Sequence, residues 1–235
     1  MKSIKSHLLS VFSFLLATVS LVAAQERKPA VVKNDWSWTI EAESDDTRVR
    51  RMHDTIEIIS PKGVTLWWNE KLAGDVEIAY EACIMDEGQA GDRLSDLNCF
   101  WMMHDAEYPD DIFKRKTWRN GVFDKCYSLK GYYLGYGGNS NTTTRFRRYD
   151  GNYEAFEKNG TRPDILKEYT DKERLLKPNH WYSIRIVCHD GRTQYYIDNE
   201  LLVDYADAHP CTTGWFGFRT TASRARLTNF RIVLL

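Results

Sequence analysis

The sequence predicts an all-β fold, a β-sandwich of the jelly-roll type. Apolar and polar residues alternate with a period of two in segments such as 36–42 and 76–84, which is typical of strands with one buried face. Turn-forming residues such as Pro61-Lys62-Gly63 and Asp190-Gly191 separate these segments. The chain also carries eight Trp, thirteen Tyr and ten Phe among its 235 residues, and aromatic side chains favour strands.

The same patterns predict strands along most of the chain after its first 35 residues. The further predicted strands are 55–60, 64–68, 97–104, 131–136, 143–149, 181–189, 193–197, 201–205, 214–219 and 225–233. Only the segment 164–176 is a candidate for a helix, and a loop is the alternative there. Many short strands separated by turns indicate one sandwich domain over 25–235. The net charge of −1 gives no indication of a nucleic-acid partner.

The first 24 residues have the features of a signal peptide. Lys2 and Lys5 precede an apolar stretch over 8–22, and Val22-Ala23-Ala24 supplies the small residues of a cleavage site. The stretch is short and contains serines, so no stable membrane span is predicted. We therefore expect cleavage after Ala24, a flexible segment over 25–35, and a secreted or periplasmic protein.

All five cysteines follow the predicted cleavage site, in a compartment that permits disulfides. Their odd number allows at most two bridges, and the pairing is open. Cys188 and Cys211 could form one bridge, or could be buried thiols. Because the chain has no C-x-x-C pair and no H-E-x-x-H helix, we predict neither a metal site nor a cofactor.

The last third of the chain has a recognisable order of strands. The segment 179–186 is followed by a partner strand at 194–198, and Gly214-Trp215-Phe216-Gly217-Phe218-Arg219 and 229–233 come last. This order resembles the concanavalin-A-like, laminin-G-like jelly roll that many secreted glycan-binding and glycan-cleaving proteins share. The resemblance implies a fold, and a fold alone does not specify an activity.

Two blocks in the middle of the chain are more specific. With 214–220, the blocks 92–103 and 132–151 resemble a family of bacterial secreted jelly-roll domains of uncharacterised activity. That family accompanies polysaccharide degradation, pectin-type glycans included, and the resemblance implies the same context here. The chain departs from the family at Ser223-Arg224, where a His is expected.

The strand 143–149 carries three arginines. Alternation directs Arg145, Arg147 and Tyr149 to one face and Arg148 to the other. On the concave face of a jelly roll, the first group would form a cationic floor, and arginine binds carboxylates such as those of uronic acids with two hydrogen bonds. The alternative is that these arginines pair with Asp92, Asp96 or Asp105.

Several further residues are candidates for contact with a sugar. The permissive turn at 137–141 brings Asn139 and Asn141 to the rim. Aromatic side chains stack on sugars or fill the core, and taken singly each is better assigned to the core. The predicted substrate-binding set is Asn98, Trp101, Trp118, Tyr136, Asn139, Asn141 and Arg148.

Lyase chemistry is the first hypothesis for an activity. A lyase removes the C5 proton of a uronate, and needs a cation or amide beside the carboxylate and a side chain that moves the proton. Arg145 and Arg147, with Asn98 and Asn141, could neutralise the carboxylate. The candidates for proton transfer are Tyr133, Tyr149 and His104.

Two alternatives remain open for the function. Glu77 and Glu81 share a strand face and resemble the E-x-D-x-E strand of jelly-roll glucanases, which use two carboxylates, but Ala79 replaces the central one. The other alternative is a noncatalytic carbohydrate-binding module, which the missing catalytic signature and the abundant aromatics favour.

Overall fold

The computed structural model describes residues 37–235 of the chain, and buried and more exposed residues alternate along several strands there, such as Tyr182–His189. These residues form antiparallel strands and no long helix, as predicted. The strands are β1 Trp38–Ala42, β2 Arg48–Met52, β3 Thr55–Trp68, β4 Leu72–Ala73, β5 Val76–Met85, β6 Leu97–Asp105, β7 Leu129–Gly137, β8 Thr143–Asp150, β9 Ile165–Tyr169, β10 Tyr182–His189, β11 Arg192–Ile197, β12 Glu200–Ala206 and β13 Thr213–Leu234.

The strands form two facing sheets, as a jelly-roll sandwich requires. The front sheet contains β1, the second half of β3, the first half of β13, and then β6, β7, β8 and β9. The back sheet contains β2, the remaining halves of β3 and β13, and then β5, β10, β11 and β12. The predicted all-β sandwich fold is confirmed.

Two long strands pass through both sheets. The sequence predicts a turn at Pro61-Lys62-Gly63, but β3 continues through it. Its partner β13 has a bulge between Thr221 and Ser223, and Ala222 adopts a positive φ of 47° there. The turn residues therefore bend a continuous pair of strands from one sheet into the other. The separate strands predicted at 214–219 and 225–233 are likewise one strand.

The segment 164–176, for which the sequence left a helix or a loop open, forms neither over its whole length. Strand β9 and the short 3-10 helix Lys172–Arg174 occupy this segment. Residues of β9 pair with β8 from Arg147↔Ile165 to Thr144↔Tyr169. The main-chain groups at the edge of β8 are satisfied by this pairing, and tertiary pairing overrides local preference. The other helical segments are Ile112–Arg115, Lys116–Arg119, Asp124–Ser128, Gly138–Asn141 and Tyr153–Asn159.

Aromatic side chains fill the space between the sheets. Trp101 of the front sheet is fully buried, and its Nε1 donates a hydrogen bond to Thr193 Oγ1 of the back sheet at 2.8 Å. Its ring lies 6.0 Å from the ring of Tyr195 and 5.9 Å from the ring of Phe146. The aromatic excess of the sequence therefore serves mainly the core.

The outer face of the front sheet is also covered in part. A second buried cluster, with Trp67, Phe100, Tyr133 and Tyr149, packs there beneath segment 106–128. Arg119 fastens this covering segment, because its buried guanidinium contacts Glu41 Oε1 at 2.6 Å and Asp105 Oδ2 at 3.1 Å. Burial raises the pKa of Glu41, and the charge of Arg119 opposes that rise.

The five cysteines are all free thiols in the structure. Four are buried, and Cys211 is half-buried. Cys188 and Cys211 line one small pocket, but the Cys188 thiol contacts Thr193 Oγ1 at 3.6 Å instead of a second sulfur.

The described part of the chain contains no helix long and apolar enough to cross a membrane. The predicted signal peptide and the segment 25–35 lie outside the described residues.

Replacement of Arg119 by methionine should lower the free energy of unfolding by about 3–5 kcal/mol, because the buried Glu41 then loses its ion-pair partner and the buried Asp105 keeps only Arg115. Urea unfolding measures the loss. Lys116→Ala, an exposed change in the same helical turn, is the matched control and should stay within about 0.5 kcal/mol. Equal midpoints for the two variants would contradict this role of Arg119.

Candidate functional site

Two rows of paired residues cross the outer face of the front sheet. The polar row runs through the register partners Thr65, Arg219, Asn98, Gly135, Arg145 and Glu168 on successive strands. The neighbouring row contains Trp67, Gly217, Phe100, Tyr133, Arg147 and Ile165. Because alternate residues of a strand share a face, both rows lie on the side away from the sandwich core.

A pocket of about 320 Å³ lies over these rows. We call it the cationic pocket, because five arginines line it but only two acidic residues do. The arginines are Arg93, Arg145, Arg147, Arg162 and Arg219, and the acids are Glu43 and Asp96. Asn98, Asn139, Thr143 and Thr221 add uncharged polar groups, and Phe123, Tyr127 and Tyr133 add rings.

Two of the five arginines have carboxylate partners. Arg145 contacts Glu168 at 2.5 Å, and Arg93 contacts Asp96 at 3.1 Å. Within residues 37–235, no carboxylate lies at ion-pair distance from Arg147, Arg162 or Arg219. The pocket is therefore lined by more cations than carboxylates, and the charge of Arg219 also acts on the buried Glu41, where it opposes the rise of the pKa.

Arg219 is the most unusual of these cations, because it is 1% exposed. Its Nη1 donates hydrogen bonds to Thr65 Oγ1 at 3.0 Å and to Gly121 O at 2.8 Å. The guanidinium carbon lies 5.0 Å from the centre of the Phe123 ring. Its Nε has no hydrogen-bond partner. Fully buried charges are rare unless they are paired, so this position is suited to an anion supplied from outside.

Asn98 carries a second unsatisfied group. The side chain is 2% exposed, and its Nδ2 donates to Asp96 Oδ1 at 3.3 Å. Its Oδ1 has no partner among the described residues. A buried acceptor without a donor costs free energy, so a ligand hydroxyl in the cationic pocket would satisfy it.

Tyrosine and phenylalanine rings form the apolar part of the pocket. Burial raises the pKa of Tyr127 to about 12 and that of Tyr133 well above its usual range. Both phenols are therefore neutral at pH 7 and can donate hydrogen bonds. A Cβ at Gly135 would lie 2.6 Å from the Tyr133 hydroxyl oxygen, so the glycine leaves room for that ring.

An ion pair holds the loop that leads into Arg93. Arg224 Nε donates to Asp92 Oδ1 at 2.8 Å, and Arg224 Nη2 contacts Glu87 at 2.7 Å. The hydrogen bond from Arg224 lowers the pKa of Asp92 to about 2. The family resemblance predicts a His at Ser223-Arg224. Arg224 stands there instead, and its ion pairs with Asp92 and Glu87 give it a structural role.

Five of the predicted site residues meet in the cationic pocket: Asn98, Tyr133, Asn139, Arg145 and Arg147. Alternation placed Arg145 and Arg147 on one face correctly. The predicted alternative partners of the β8 arginines are all bound elsewhere. Asp92 pairs with Arg224, Asp96 with Arg93, and Asp105 with Arg115 and Arg119.

Three predicted aromatic candidates lie in packed interiors. Trp101 and Tyr136 belong to the core between the sheets, and the Tyr136 hydroxyl donates to Leu175 O at 3.4 Å. Tyr149 shares the face of Arg147 but is fully buried under the covering segment, and burial raises its pKa well above the usual range. None of the three lines the cationic pocket, so the assignment of Trp101 and Tyr136 to sugar contact and of Tyr149 to proton transfer there is corrected.

Two other predicted residues have structural partners. Arg148 points to the opposite face of β8, where its Nε donates to Asp207 Oδ2 at 2.6 Å. The amide of Asn141 bonds the main chain of Leu176 twice, at 3.0 Å and 2.8 Å. Asn141 therefore holds the chain after β9 in place, and neither residue lines the cationic pocket.

His104 and Trp118 also lie apart from this pocket. His104 pairs in register with Lys130, and burial together with the charge of Lys130 lowers its pKa. The half-buried Trp118 ring lies 5.0 Å from the Arg115 guanidinium and 5.1 Å from Lys125 Nζ. Two cations of the covering segment, Arg115 and Lys125, therefore lie over the Trp118 ring.

The two candidate hydrolase carboxylates belong to the back sheet. Glu77 contacts Arg185 of the neighbouring strand at 3.5 Å, and Glu81 pairs in register with Ser183. Neither lines the cationic pocket, so the residues for hydrolysis and those for anion binding are not brought together.

Among residues 37–235, one group of side chains could hold a metal ion, although the sequence predicts none. The ligand atoms of Asp75, His189 and Asp190 lie within 4.8 Å of one another. Spacing could not reveal the group, because Asp75 and His189 are 114 residues apart. Both ring nitrogens of His189 already contact carboxylates, at 2.8 Å and 3.1 Å, and a metal would have to replace one of these contacts.

Sequence reasoning missed Arg93, Arg162, Arg219, Phe123 and Tyr127. A usable signal existed for Arg219. In Gly214-Trp215-Phe216-Gly217-Phe218-Arg219 a charged residue occupies a position of an otherwise apolar strand. The covering segment 106–128, which supplies Phe123 and Tyr127, shows no such pattern in its sequence. Its place over the sheet depends on the buried contacts of Arg119 with residues far away in the chain.

Comparison with known proteins gives one family match. A family described as "Domain of unknown function (DUF6250)" matches residues 58–230, which is most of the chain. A comparison with curated protein sequences finds no match.

Solved structures with a similar fold include lectin-like and carbohydrate-binding domains. A Bacillus subtilis protein of unknown function with a galectin-like fold has a TM-score of 0.65 at 13% identity, covering 83% of this chain and 88% of its own. The carbohydrate-binding module CBM66 of B. subtilis has a TM-score of 0.55 at 16% identity, covering 85% and 97%. The exoplasmic/lumenal domain of VIP36, solved with Ca²⁺ and Man2 bound, has a TM-score of 0.57 at 13% identity, covering 85% and 81%.

Proposed function

The chain belongs to the DUF6250 family, and we propose that it binds an acidic carbohydrate in the cationic pocket. One observation carries the proposal. Arg147, Arg162 and Arg219 line a single pocket without any carboxylate at ion-pair distance within the described residues. A uronate or another anionic sugar would supply the missing negative charge.

Arginine chemistry favours a planar anion as the ligand. A guanidinium matches a carboxylate with two parallel hydrogen bonds, and such charge-assisted bonds are stronger than neutral ones. Arg219 is buried, so its charge is poorly solvated and interacts strongly with an anion that reaches it. Binding would relieve part of the cost of keeping that cation inside the protein.

The remaining pocket groups suit the rest of a sugar ring. Tyr133 and Phe123 present rings on which the C–H face of a sugar can pack, and Asn98 Oδ1 and Asn139 supply groups for hydroxyls. The similar folds of CBM66 and of the VIP36 domain support a carbohydrate as the ligand. Binding without catalysis is the primary proposal. We also propose pectin-type glycans as the source of the acidic carbohydrate.

The replacement Arg147→Gln should weaken the binding of an oligogalacturonate. Glutamine keeps a donor for the bond that Arg147 makes to Pro163 O, but removes a charge-assisted contact worth about 1.5–3 kcal/mol. Calorimetry should show a loss of about tenfold or more. Arg185→Gln on the back sheet is the matched control and should bind normally. Unchanged binding by Arg147→Gln, or equal binding of a neutral oligosaccharide, would refute the proposal.

Uronate lyase activity is a second candidate. It is favoured by the presence of Tyr133 beside Asn98, Arg145 and Arg147 in the same pocket. The raised pKa of Tyr133 keeps the phenol protonated, so proton abstraction by it would need the help of the neighbouring arginines. His104 and Tyr149 do not line the pocket and are not part of this candidate.

Incubation with acidic polysaccharides separates the two candidates. For a binding protein we expect no rise in absorbance from unsaturated uronate and no new reducing ends, although binding is measurable. A rise that Tyr133→Phe abolishes without loss of binding would replace the binding proposal by the lyase. A rise that Tyr133→Phe leaves unchanged would exclude Tyr133 as the proton-transfer group.

We also propose that the protein is exported, since the amino-terminal residues carry the features of a cleaved signal. Mass spectrometry of the protein from a producing cell's medium or periplasm should find Gln25 as the first residue. An intact amino terminus on cytoplasmic protein would refute export.

A further inference from the structure

A second pocket of about 270 Å³ adjoins the cationic pocket. Tyr127 and Arg162 line both pockets, so the two pockets meet at these residues although they take side chains from opposite faces of β8. On β8, Arg147 faces the cationic pocket and its neighbour Arg148 faces the second one. We infer that the two pockets are consecutive subsites for an acidic sugar joined to an uncharged one, an inference that rests on the proposed function.

The segment between the pockets is held in place by the sheet. Pro163 O accepts a hydrogen bond from Arg147, and the next residues enter β9. Arg162 itself is exposed, and its guanidinium lies 6.0 Å from the Phe156 ring. Because no carboxylate within residues 37–235 pairs with it, Arg162 is available to a ligand that spans both pockets.

The charges of the second pocket differ from those of the first. Two arginines, Arg148 and Arg162, and two aspartates, Asp150 and Asp164, line it in equal number, without ion pairs between them among the described residues. Arg148 is neutralised by Asp207, which contacts its Nε at 2.6 Å. A second carboxylate would therefore find no excess of positive charge here, and the exposed aspartates would repel it.

The second pocket also offers apolar surface to a neutral ring. Leu166 is 42% exposed at its rim, and the half-buried Tyr205 lies on its wall. Asn152 and Thr161 supply uncharged groups for hydroxyls. This combination is typical of a site for a neutral sugar unit, whereas the cationic pocket takes the acidic unit.

Three probes test the assignment by calorimetry: glucuronic acid, digalacturonate, and an aldobiuronic acid in which glucuronic acid is linked to a neutral sugar. The aldobiuronic acid should bind at least about tenfold more tightly than glucuronic acid, because it occupies both pockets. It should also bind more tightly than digalacturonate, whose second carboxylate would meet Asp150 and Asp164.

Leu166→Asp should remove the advantage of the aldobiuronic acid and leave the affinity for glucuronic acid unchanged. Leu201→Asp, a leucine of the same 42% exposure on β12, is the matched control and should keep the advantage. Equal affinities for glucuronic acid and the aldobiuronic acid, a preference for digalacturonate, or an advantage that survives Leu166→Asp would each overturn the second subsite while the proposed function stands. Failure of every uronate to bind would overturn both.

Discussion

The candidate site depends on the buried contacts of Arg119. Its guanidinium joins Glu41 of the edge strand β1, Asp105 at the end of β6 and the carbonyl of Ile112 in the covering segment. A charged carboxylate in that interior needs a cation; within the described chain Glu41 has an ion pair with Arg119 alone, whereas Asp105 also pairs with Arg115. Because Arg119 meets both, segment 106–128 is fixed over the front sheet, and Phe123 and Tyr127 become walls of the cationic pocket.

The outer face of the front sheet uses arginine in two opposite ways. Arg119 lies between two carboxylates and stabilises the packing of the covering segment, whereas Arg219 is equally buried and has none at ion-pair distance within the described chain. A buried cation without a close ion-pair partner lowers the stability of the fold, and the longer-range attraction between Arg219 and Glu41 offsets only part of that cost. Proteins break the rules of stable packing mainly at functional sites, and this contrast is the physical basis for assigning ligand binding to the pocket around Arg219.

Local pattern was sufficient for the sandwich and for the faces of β8, because alternation decides which residues lie together. It could not decide which face is inside, so Trp101 was a candidate for sugar contact although it fills the core. Nor could it find the polar row, since Thr65, Arg219 and Asn98 meet only through pairing between strands distant in sequence. The sequence left a helix or a loop open at 164–176 and missed the strand for a related reason, because residues of this segment pair with the edge of β8 as β9.

A crystal structure of the protein with the aldobiuronic acid tests the central claim most directly. We expect the uronate carboxylate at hydrogen-bond distance from the guanidinium of Arg147 or Arg219, about 2.7–2.9 Å for a charge-assisted bond, with the sugar ring against Tyr133. A sugar bound elsewhere, such as at Trp118 or on the back sheet beside Glu77, with the cationic pocket empty, would contradict the account.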